Sequence, residues 1–306
     1  MPLRRAALLP MPALGLLALA LALAMPAIGR AADAPPLRVL TTISTFNSFV
    51  TGVGGAHVRV ESLVPLGAGP EDYQPTPGDV ARIHDADILV ENGAGLEGWL
   101  ARTIENARNA HLRIVTCSDG LPLRNGNPHL WLDPVFAREY VRKIRDALIE
   151  RDPAHRADYE RNASAYDARL RALEREIAAR VATIPPEQRT MIVFHSAWDY
   201  FDARFGLRMV GAIERSPGQE PNPRDLADLV TQARSLHVRA VFAEPEYSPK
   251  LAHSLADSAQ ISTVATLYDD SVGSDPRASD YVSMLRFDTE TIVRALGGKP
   301  PAGGWK

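Results

Sequence analysis

The sequence predicts an α/β protein with two lobes, each a mostly parallel sheet flanked by helices, joined by one long backbone helix. Short β-rich runs alternate with helical segments in both halves of the chain, which is the pattern of parallel sheets covered by helices. The stretch between the halves, residues 153–183, contains no glycine and reads as one continuous helix. These observations together predict two α/β lobes held by a stiff connector.

The connecting helix, assigned to residues 152–184, is predicted from its apolar spacing and its bounds. Asp152 stands at the N-cap position and Pro153 at the first helical position, while two prolines at 185 and 186 close the far end. Its apolar residues recur every three or four positions and so share one face. They are Tyr159, Ala163, Tyr166, Leu170, Leu173, Ile177 and Val181. At 1.5 Å per residue the helix would be about 45 Å long.

The first 31 residues predict a cleavable secretory signal peptide. Arg4 and Arg5 precede an apolar run over residues 6–28, and a small-x-small pattern ends at Ala31. The alternative is a transmembrane anchor, but three prolines interrupt the run. No cysteine lies near the cleavage site, so we expect a free periplasmic product that is not lipid-anchored.

Charge and cysteine content restrict the possible partners. The formal charge of the whole chain is −3, and loss of three arginines with the signal peptide takes it to −6. This acidic balance argues against a nucleic-acid partner and is compatible with a cation. Cys117 is the only cysteine, so it cannot form an internal disulfide, and we expect it to pack as a small apolar side chain.

The first lobe is predicted over residues 37–151 and the second over 188–298. Strands in the first are expected at 37–43, 58–64, 87–93 and 113–118, and helices at 46–53, 77–85, 96–107 and 134–150. In the second, strands are expected at 191–196, 207–213, 238–244 and 262–268, and helices at 197–205, 223–235, 249–259 and 279–296. Because ligands of open parallel sheets bind beyond the carboxyl ends of the strands, a cleft between the lobes is the expected site.

Two segments of the first lobe place acid or imidazole groups after strands. The loop PLGAGPEDYQPTPGD, residues 65–79, presents Glu71 and Asp72. It fits a polar, solvent-facing turn as well as a ligand loop. The segment NPHLWLDP, residues 127–134, contains His129, which would fit a packed or exposed loop histidine equally well.

Three segments of the second lobe do the same. His195 ends the strand MIVFHS, Glu244 ends a later strand, and Asp269 and Asp270 end the last one. Two histidines and several carboxylates at the ends of strands in facing lobes suggest a first-row divalent cation. Such an ion needs neutral imidazoles and ionised carboxylates at about 2.0–2.2 Å, so binding would be coupled to approach of the lobes.

The remaining sequence carries no enzyme motif. The other histidines lie beside charged residues and are expected to be solvated; they are His57, His84, His111, His155, His237 and His253. HExxH, GxSxG and a P-loop are all absent from the sequence, and nothing points to a nucleophile.

The motifs together resemble the zinc/manganese/iron solute-binding proteins of bacterial ABC transporters. The resemblance covers residues 37–297 and rests on four segments in the family's order: YQPTPGD at 73–79, NPHLWLDP at 127–134, FHSAWDYF at 194–201 and LYDDS at 267–271. It implies a long interlobe helix, a membrane permease as partner and no enzymatic activity. We expect the protein to be a monomer.

The resemblance also implies a ligand set. It assigns metal ligation to His129, His195 and Asp270, and places Glu244 beside the site as a supporting group. Where the family usually has a histidine, two residues before the tyrosine of YxPTP, this chain has Glu71. We carry the fourth ligand role to Glu71, because a carboxylate can replace imidazole for a hard or borderline ion.

The carboxylate at position 71 bears on the identity of the ion. Two imidazoles with two carboxylates form a harder set than three imidazoles with one carboxylate, which favours Mn²⁺ or Fe²⁺ over Zn²⁺. The loop 119–128 also lacks the histidine-rich insertion often seen in zinc-type members. Zn²⁺ remains the intrinsically tighter binder at most such sites.

Two other functions are compatible with the same residues. A metal-dependent hydrolase could use Glu244 or Glu71 as base beside a bound water, but its ion would keep an open position for substrate. A receptor for a larger metal chelate would want an aromatic or basic cleft. The candidate loops offer Tyr73, Trp131 and Trp198, of which the two tryptophans are expected to pack.

A continuous helix between the lobes also predicts limited lobe motion. We expect metal release to depend on local shifts of the loops that carry Glu71 and Asp270.

Overall fold

The computed structural model of the protein describes residues 35–214, 221–299 and 305. Residues from Pro36 onward form one compact unit. The predicted signal peptide, residues 1–31, lies outside the described part. Within that part, no helix combines the length and apolar character needed to cross a bilayer.

Two four-stranded sheets, all of whose recorded strand pairs are parallel, form the centres of the two lobes. The strands of the first sheet are β1 (Leu37–Thr41), β2 (Val58–Ser62), β3 (Ile88–Glu91) and β4 (Arg113–Thr116). Those of the second are β5 (Thr190–His195), β6 (Arg208–Glu214), β7 (Ala240–Ala243) and β8 (Thr263–Thr266). The orders are β2-β1-β3-β4 and β6-β5-β7-β8, so the lobes repeat one topology. The predicted fold class is confirmed.

The helices that cover the sheets lie close to the predicted segments. They are α1 (Ser44–Gly54), α2 (Pro77–Asp85), α3 (Leu100–Ala107), α4 (Pro134–Arg151), α5 (Arg156–Val181), α6 (Asp199–Phe205), α7 (Pro223–Ser235), α8 (Lys250–Ala259) and α9 (Tyr281–Ala295). The clearest difference is α3, which was expected from residue 96. Residues 94–99 form turns instead, because the Glu97 carboxylate accepts hydrogen bonds from the backbone N–H groups of Asn92 and Gly93.

The connecting helix α5 has 26 residues, which corresponds to about 39 Å. All seven apolar residues predicted for its inner face are buried. The prediction that Asp152 caps it is wrong, since 153–155 form a separate 3₁₀ turn and α5 begins after His155. The Asp152 carboxylate instead accepts a hydrogen bond of 2.7 Å from the Tyr159 hydroxyl.

The buried face of α5 belongs to a core that both lobes share. Phe49 of the first lobe packs its ring against Tyr166 of α5, with centroids 6.1 Å apart. The same Phe49 ring lies 4.6 Å from the ring of Tyr281, which begins α9 in the second lobe. One apolar cluster therefore joins both lobes to the connecting helix, and a large rotation of one lobe would have to break packed contacts.

Side-chain caps fix the helix starts that follow the candidate loops. Thr76 and Asp79 form a capping box at α2. Asp133 caps α4, and Asp280 forms a second capping box at α9. Each cap satisfies backbone N–H groups that have no partner within the helix. The caps therefore hold one end of each loop at a defined place at the carboxyl edge of a sheet.

Candidate metal centre

Four acid or imidazole side chains meet where the carboxyl ends of the two sheets face each other. Glu71 lies in the loop after β2, His129 in the segment after β4, His195 at the end of β5, and Asp270 after β8. One potential ligand atom from each lies within 4.8 Å of the corresponding atoms of the other three. The structure thus brings together the four residues of the expected ligand set.

The two histidines face each other through the same ring atom. The Nε2 atoms of His129 and His195 are 3.1 Å apart. Atoms that bind one ion at about 2.1 Å lie about 3 Å from each other, so this spacing suits two ligands of a single ion.

Asn127 sets the ring orientation of His129. Its Oδ1 accepts hydrogen bonds from both the backbone N–H and the Nδ1–H of His129, at 2.9 and 2.8 Å. The amide orientation is fixed because Asn127 Nδ2 donates to the carbonyl of Ser196. The neutral ring therefore carries its proton on Nδ1 and keeps a lone pair on Nε2.

Glu244 does the same for His195. The Nδ1–H of His195 donates to Glu244 Oε2 at 2.5 Å, and its backbone N–H donates to Oε1 at 3.3 Å. The Nε2 lone pair of neutral His195 consequently points toward the Nε2 lone pair of His129. Two facing lone pairs repel each other unless a cation or proton lies between them.

The two carboxylates complete the cluster without hydrogen bonds of their own. Glu71 Oε1 and Asp270 Oδ1 lie 3.4 and 3.5 Å from His129 Nε2. Asp270 Oδ2 lies 4.0 Å from His195 Nε2. All four oxygens of these two carboxylates are buried and have no hydrogen-bond partner. Buried acceptors without partners are rare, and a bound cation would satisfy them.

The cluster is enclosed, with Glu71 at its more accessible side. The Glu71 side chain is 14% exposed, whereas those of His129, His195 and Asp270 are at most 4% exposed. A site that surrounds its ion suits capture, whereas a catalytic ion needs room for substrate. The geometry therefore suits binding and release rather than hydrolysis.

Burial and mutual charge perturb the acid and imidazole groups. Burial alone would lower the pKa of His129, but Asp270 and Glu71 outweigh it and raise the pKa to about 9. Burial and the neighbouring Glu71 raise the pKa of Asp270 to about 6. Burial opposes the ionised form of Glu71, yet the two histidines hold its pKa below the usual value.

Two further carboxylates, Glu244 and Glu246, lie near the cluster, and the sequence did not single out Glu246. Burial and the charge of Asp269 raise the pKa of Glu244 to about 8 and that of Glu246 to about 9. Glu246 Oε1 accepts a hydrogen bond from the hydroxyl of Ser271, next to Asp270. Its position two residues after Glu244 was the available signal. Asn127 was also missed as an orienting residue, although it stands two residues before His129 in NPH.

Other singled-out residues do not belong to the four-residue cluster, although the Trp131 ring lies 5.0 Å from the ring of His129. Asp72 is exposed, and Trp131 and Trp198 are fully buried, so these two rings pack rather than line a cleft. His84, His111, His237 and His253 are exposed, as expected. The expectation that all six remaining histidines are solvated is wrong for two. His57 and His155 are half-buried and stack with ring centroids 3.8 Å apart. Asp158 hydrogen-bonds to Nε2 of His57, and Asp152 hydrogen-bonds to Nδ1 of His155.

Comparison with known proteins places this geometry in a family. The family described as zinc-uptake complex component A, periplasmic, matches residues 39–295. The chain is 33% identical over 273 residues to the manganese-binding lipoprotein MntA of Halalkalibacterium halodurans, covering 88% of this chain and 91% of that protein. It is 31% identical over 272 residues to the iron-binding protein YfeA of Yersinia pestis, covering 86% and 88%.

A solved structure shows the same fold. The Mn-bound periplasmic metal binding protein from Candidatus Liberibacter asiaticus superposes with a TM-score of 0.76 at 27% identity. The match covers 85% of this chain and 99% of that one.

The comparisons correct one expectation from the sequence. We expected a free periplasmic product because no cysteine lies near the predicted cleavage site. MntA is named a lipoprotein, and so is SsaB of Streptococcus sanguinis, which is 26% identical over 279 residues and covers 86% of this chain and 90% of that protein. These relatives contradict the expectation and point to a lipid-anchored rather than a free protein.

The family settles the class of function. Its members are substrate-binding proteins of metal transporters and not enzymes, so the hydrolase alternative is not supported. Such proteins work with a membrane permease, and a signal peptide and periplasmic location are typical of them. The chain belongs to the family of zinc-uptake complex component A, the periplasmic metal-binding proteins of ABC transporters.

Proposed function

We propose that Glu71, His129, His195 and Asp270 together hold one divalent transition metal ion as transported cargo. The observation that carries the proposal is the 3.1 Å separation of the two histidine Nε2 atoms. Each has a lone pair once its ring is neutral, because the remaining ring proton is held by the hydrogen bond on Nδ1. The unpartnered buried oxygens of Glu71 and Asp270 support it.

The donor set favours Mn²⁺ or Fe²⁺ as cargo, with Zn²⁺ as a strong competitor. Two carboxylates and two imidazoles form a hard to borderline set, which suits the first two ions. Relatives named as manganese-binding and iron-binding agree with this preference. Zn²⁺ binds most such sites tightly, so metal supply would decide between them in the cell.

The rest of the proposal concerns organisation and partners. The first lobe, 37–151, and the second, 188–298, each supply two ligands across the helix at 152–184. The loaded protein delivers its ion to the membrane permease as a monomer. The acidic charge of the chain speaks against a nucleic-acid partner.

The test is metal analysis of protein purified without chelator, followed by titration with Mn²⁺, Fe²⁺ and Zn²⁺. We expect wild type to bind one equivalent of each ion. Glu71→His gives a softer donor set, so the preference for Zn²⁺ over Mn²⁺ should rise at least about tenfold.

The matched control is Asp72→His, which puts the same imidazole one position away on an exposed residue. It should leave the preference unchanged. Equal effects of the two substitutions, or no effect of either, would remove Glu71 from the ligand set.

A further inference from the structure

Trp99 holds the loop that carries Glu71. It lies immediately before α3, and its ring packs against the core on the outer side of the first sheet. The indole Nε1–H donates a hydrogen bond of 2.7 Å to the carbonyl oxygen of Pro70. A residue anchored in the body of the lobe thus contacts the backbone directly before Glu71.

This bond fixes more than one atom. The carbonyl of Pro70 and the nitrogen and Cα of Glu71 lie in one planar peptide unit. A donor that holds the carbonyl oxygen therefore limits rotation of the whole plane, and with it the direction in which the Glu71 side chain leaves the backbone. A displacement of about 1 Å there would exceed the tolerance of a metal site, which is about 0.5 Å.

The loop has few other restraints. In the described chain, two hydrogen bonds tie residues 65–74 to the rest of the lobe: that from Trp99 and one of 3.0 Å from the Tyr73 hydroxyl to Asp79. The Tyr73 and Trp99 rings also meet edge to face, with centroids 5.1 Å apart. Of these two hydrogen bonds, one is made by the Trp99 indole itself and the other by a tyrosine whose ring packs against that indole.

Inside itself the loop is compact. A Cβ placed on Gly69 would lie 3.2 Å from Asp72 Oδ1 and 3.9 Å from Glu71 Oε2. Backbone and side chains are therefore close together within residues 69–72, and the Tyr247 hydroxyl of the second lobe would lie 3.8 Å from the same Cβ. We expect a displacement at Pro70 to be passed on to Glu71.

We propose that Trp99 is a positioning residue for the metal site, acting through its indole N–H bond to Pro70 to hold Glu71 ready for the ion. The proposal rests on the proposed role of Glu71 as a ligand. Without the bond, the loop samples more conformations in the metal-free protein, and binding has to order it. Affinity then falls, and the ion leaves faster because Glu71 lies at the more accessible side of the cluster.

The test is Trp99→Phe, which keeps an aromatic ring and removes the donor. We expect its Kd for Mn²⁺ to rise about fivefold, the usual scale for one neutral hydrogen bond, mainly through faster release into a chelator. The matched control is Trp305→Phe, which removes an indole bond of the same 2.7 Å length to Glu290. That variant should bind Mn²⁺ as wild type does.

Both substitutions are repeated with Glu71→Gln to separate the two proposals. If Trp99 acts through Glu71, Trp99→Phe adds no further loss in the Glu71→Gln protein. An equal fivefold loss in both backgrounds, or no loss in the wild-type background, overturns the role of Trp99 while leaving Glu71 a ligand. If Glu71→Gln itself binds Mn²⁺ normally, both proposals fail.

A measurement on wild-type protein avoids any folding defect of the variant. The indole ¹⁵N–H signal of Trp99 should be protected from solvent exchange in the metal-free protein and more strongly protected after Zn²⁺ binding. Rapid exchange in both states would overturn the proposal.

Discussion

His129 Nε2 lies 3.1 Å from His195 Nε2, although 66 positions separate the two residues along the chain. One ring comes from each lobe, so the distance reports how closely the lobes approach. The Nδ1 atom of His129 hydrogen-bonds to Asn127, and that of His195 hydrogen-bonds to Glu244, so each ring is oriented by a different partner. The pair therefore depends on both lobes and on neither alone.

The first prediction is that His129→Ala or His195→Ala weakens metal binding by more than about 100-fold. Loss of a group that only orients a ligand already costs 10- to 100-fold in affinity, so loss of the ligand should cost more. The measurement is calorimetric titration with Mn²⁺ and Zn²⁺.

His253→Ala is the control, because His253 is exposed on α8. All three variants should keep the circular dichroism spectrum of the wild type. Unchanged affinity in either site variant would remove that residue from the site.

The second prediction is that metal affinity rises with pH between about 6 and 9. The pKa of His129 is raised to about 9, so below that pH the metal-free ring is an imidazolium that must lose a proton before it can bind an ion. The pKa of Asp270 is about 6, so its carboxylate is ionised through most of this range. Each bound ion should therefore release about one proton or more at pH 7.5.

Titrations in buffers of different ionisation enthalpy measure that proton release. In His129→Ala the remaining binding should depend less on pH. Equal binding enthalpies in all buffers would contradict the prediction.

The connecting helix shows what local sequence determines. Its inner face was predictable to the residue, because the stripe from Tyr159 to Val181 follows the helical period. Its start was not, because the Asp152 side chain bonds to Tyr159 rather than to the first turn. Which group Asp152 bonds to depends on the side chains that lie near it in the folded protein. The sequence shows only that an aspartate at this position is able to cap a helix.

The residues of the site also include some that could be predicted from the sequence and some that could not. His129, His195 and Asp270 stand at segment ends in recognisable motifs, so the sequence could place them at the carboxyl edges of the sheets. Glu246 and Asn127 have roles that exist only after other segments come near, Glu246 through Ser271 and Asn127 through Ser196. Sequence spacing carries little information about such neighbours.

The third prediction concerns Asp202, a buried acid of α6 that is not part of the four-residue cluster. Burial raises its pKa to about 7, although the backbone N–H of Met209 stabilises the charge. The folded protein therefore holds this proton up to a higher pH than the unfolded chain, and stability falls as pH rises from about 4 to 7. The shift from an ordinary value corresponds to roughly 4 kcal/mol at most.

Asp202→Asn cannot ionise and keeps an acceptor for Met209. Its free energy of unfolding, from urea titrations at pH 5 and pH 8, should fall less over this range than that of the wild type. Asp257→Asn, on an exposed residue of α8, is the control and should follow the wild type. A variant with the full wild-type pH dependence would show that Asp202 is not the group responsible.

The last prediction is that metal release moves loops more than lobes. The shared core joins Phe49, Tyr166 and Tyr281 across both lobes and the connecting helix, so wide opening would separate packed rings. The loop of Asp270 is held from the first lobe, where Trp131 Nε1–H donates to the Asp269 carbonyl at 2.9 Å. The Glu71 loop has weaker restraint, so it should change most.

Hydrogen exchange with and without Zn²⁺ measures this directly. Protection should increase in residues 65–76 and, to a smaller extent, in 267–280, while the buried face of α5 exchanges at the same rate in both states. A large change along α5 with both loops unchanged would mean that the lobes open as rigid bodies. In that case the rings of Phe49 and Tyr281 would have to separate in the metal-free protein. Two cysteines engineered at exposed positions, one on each lobe, would report this separation as a slower rate of cross-linking without metal.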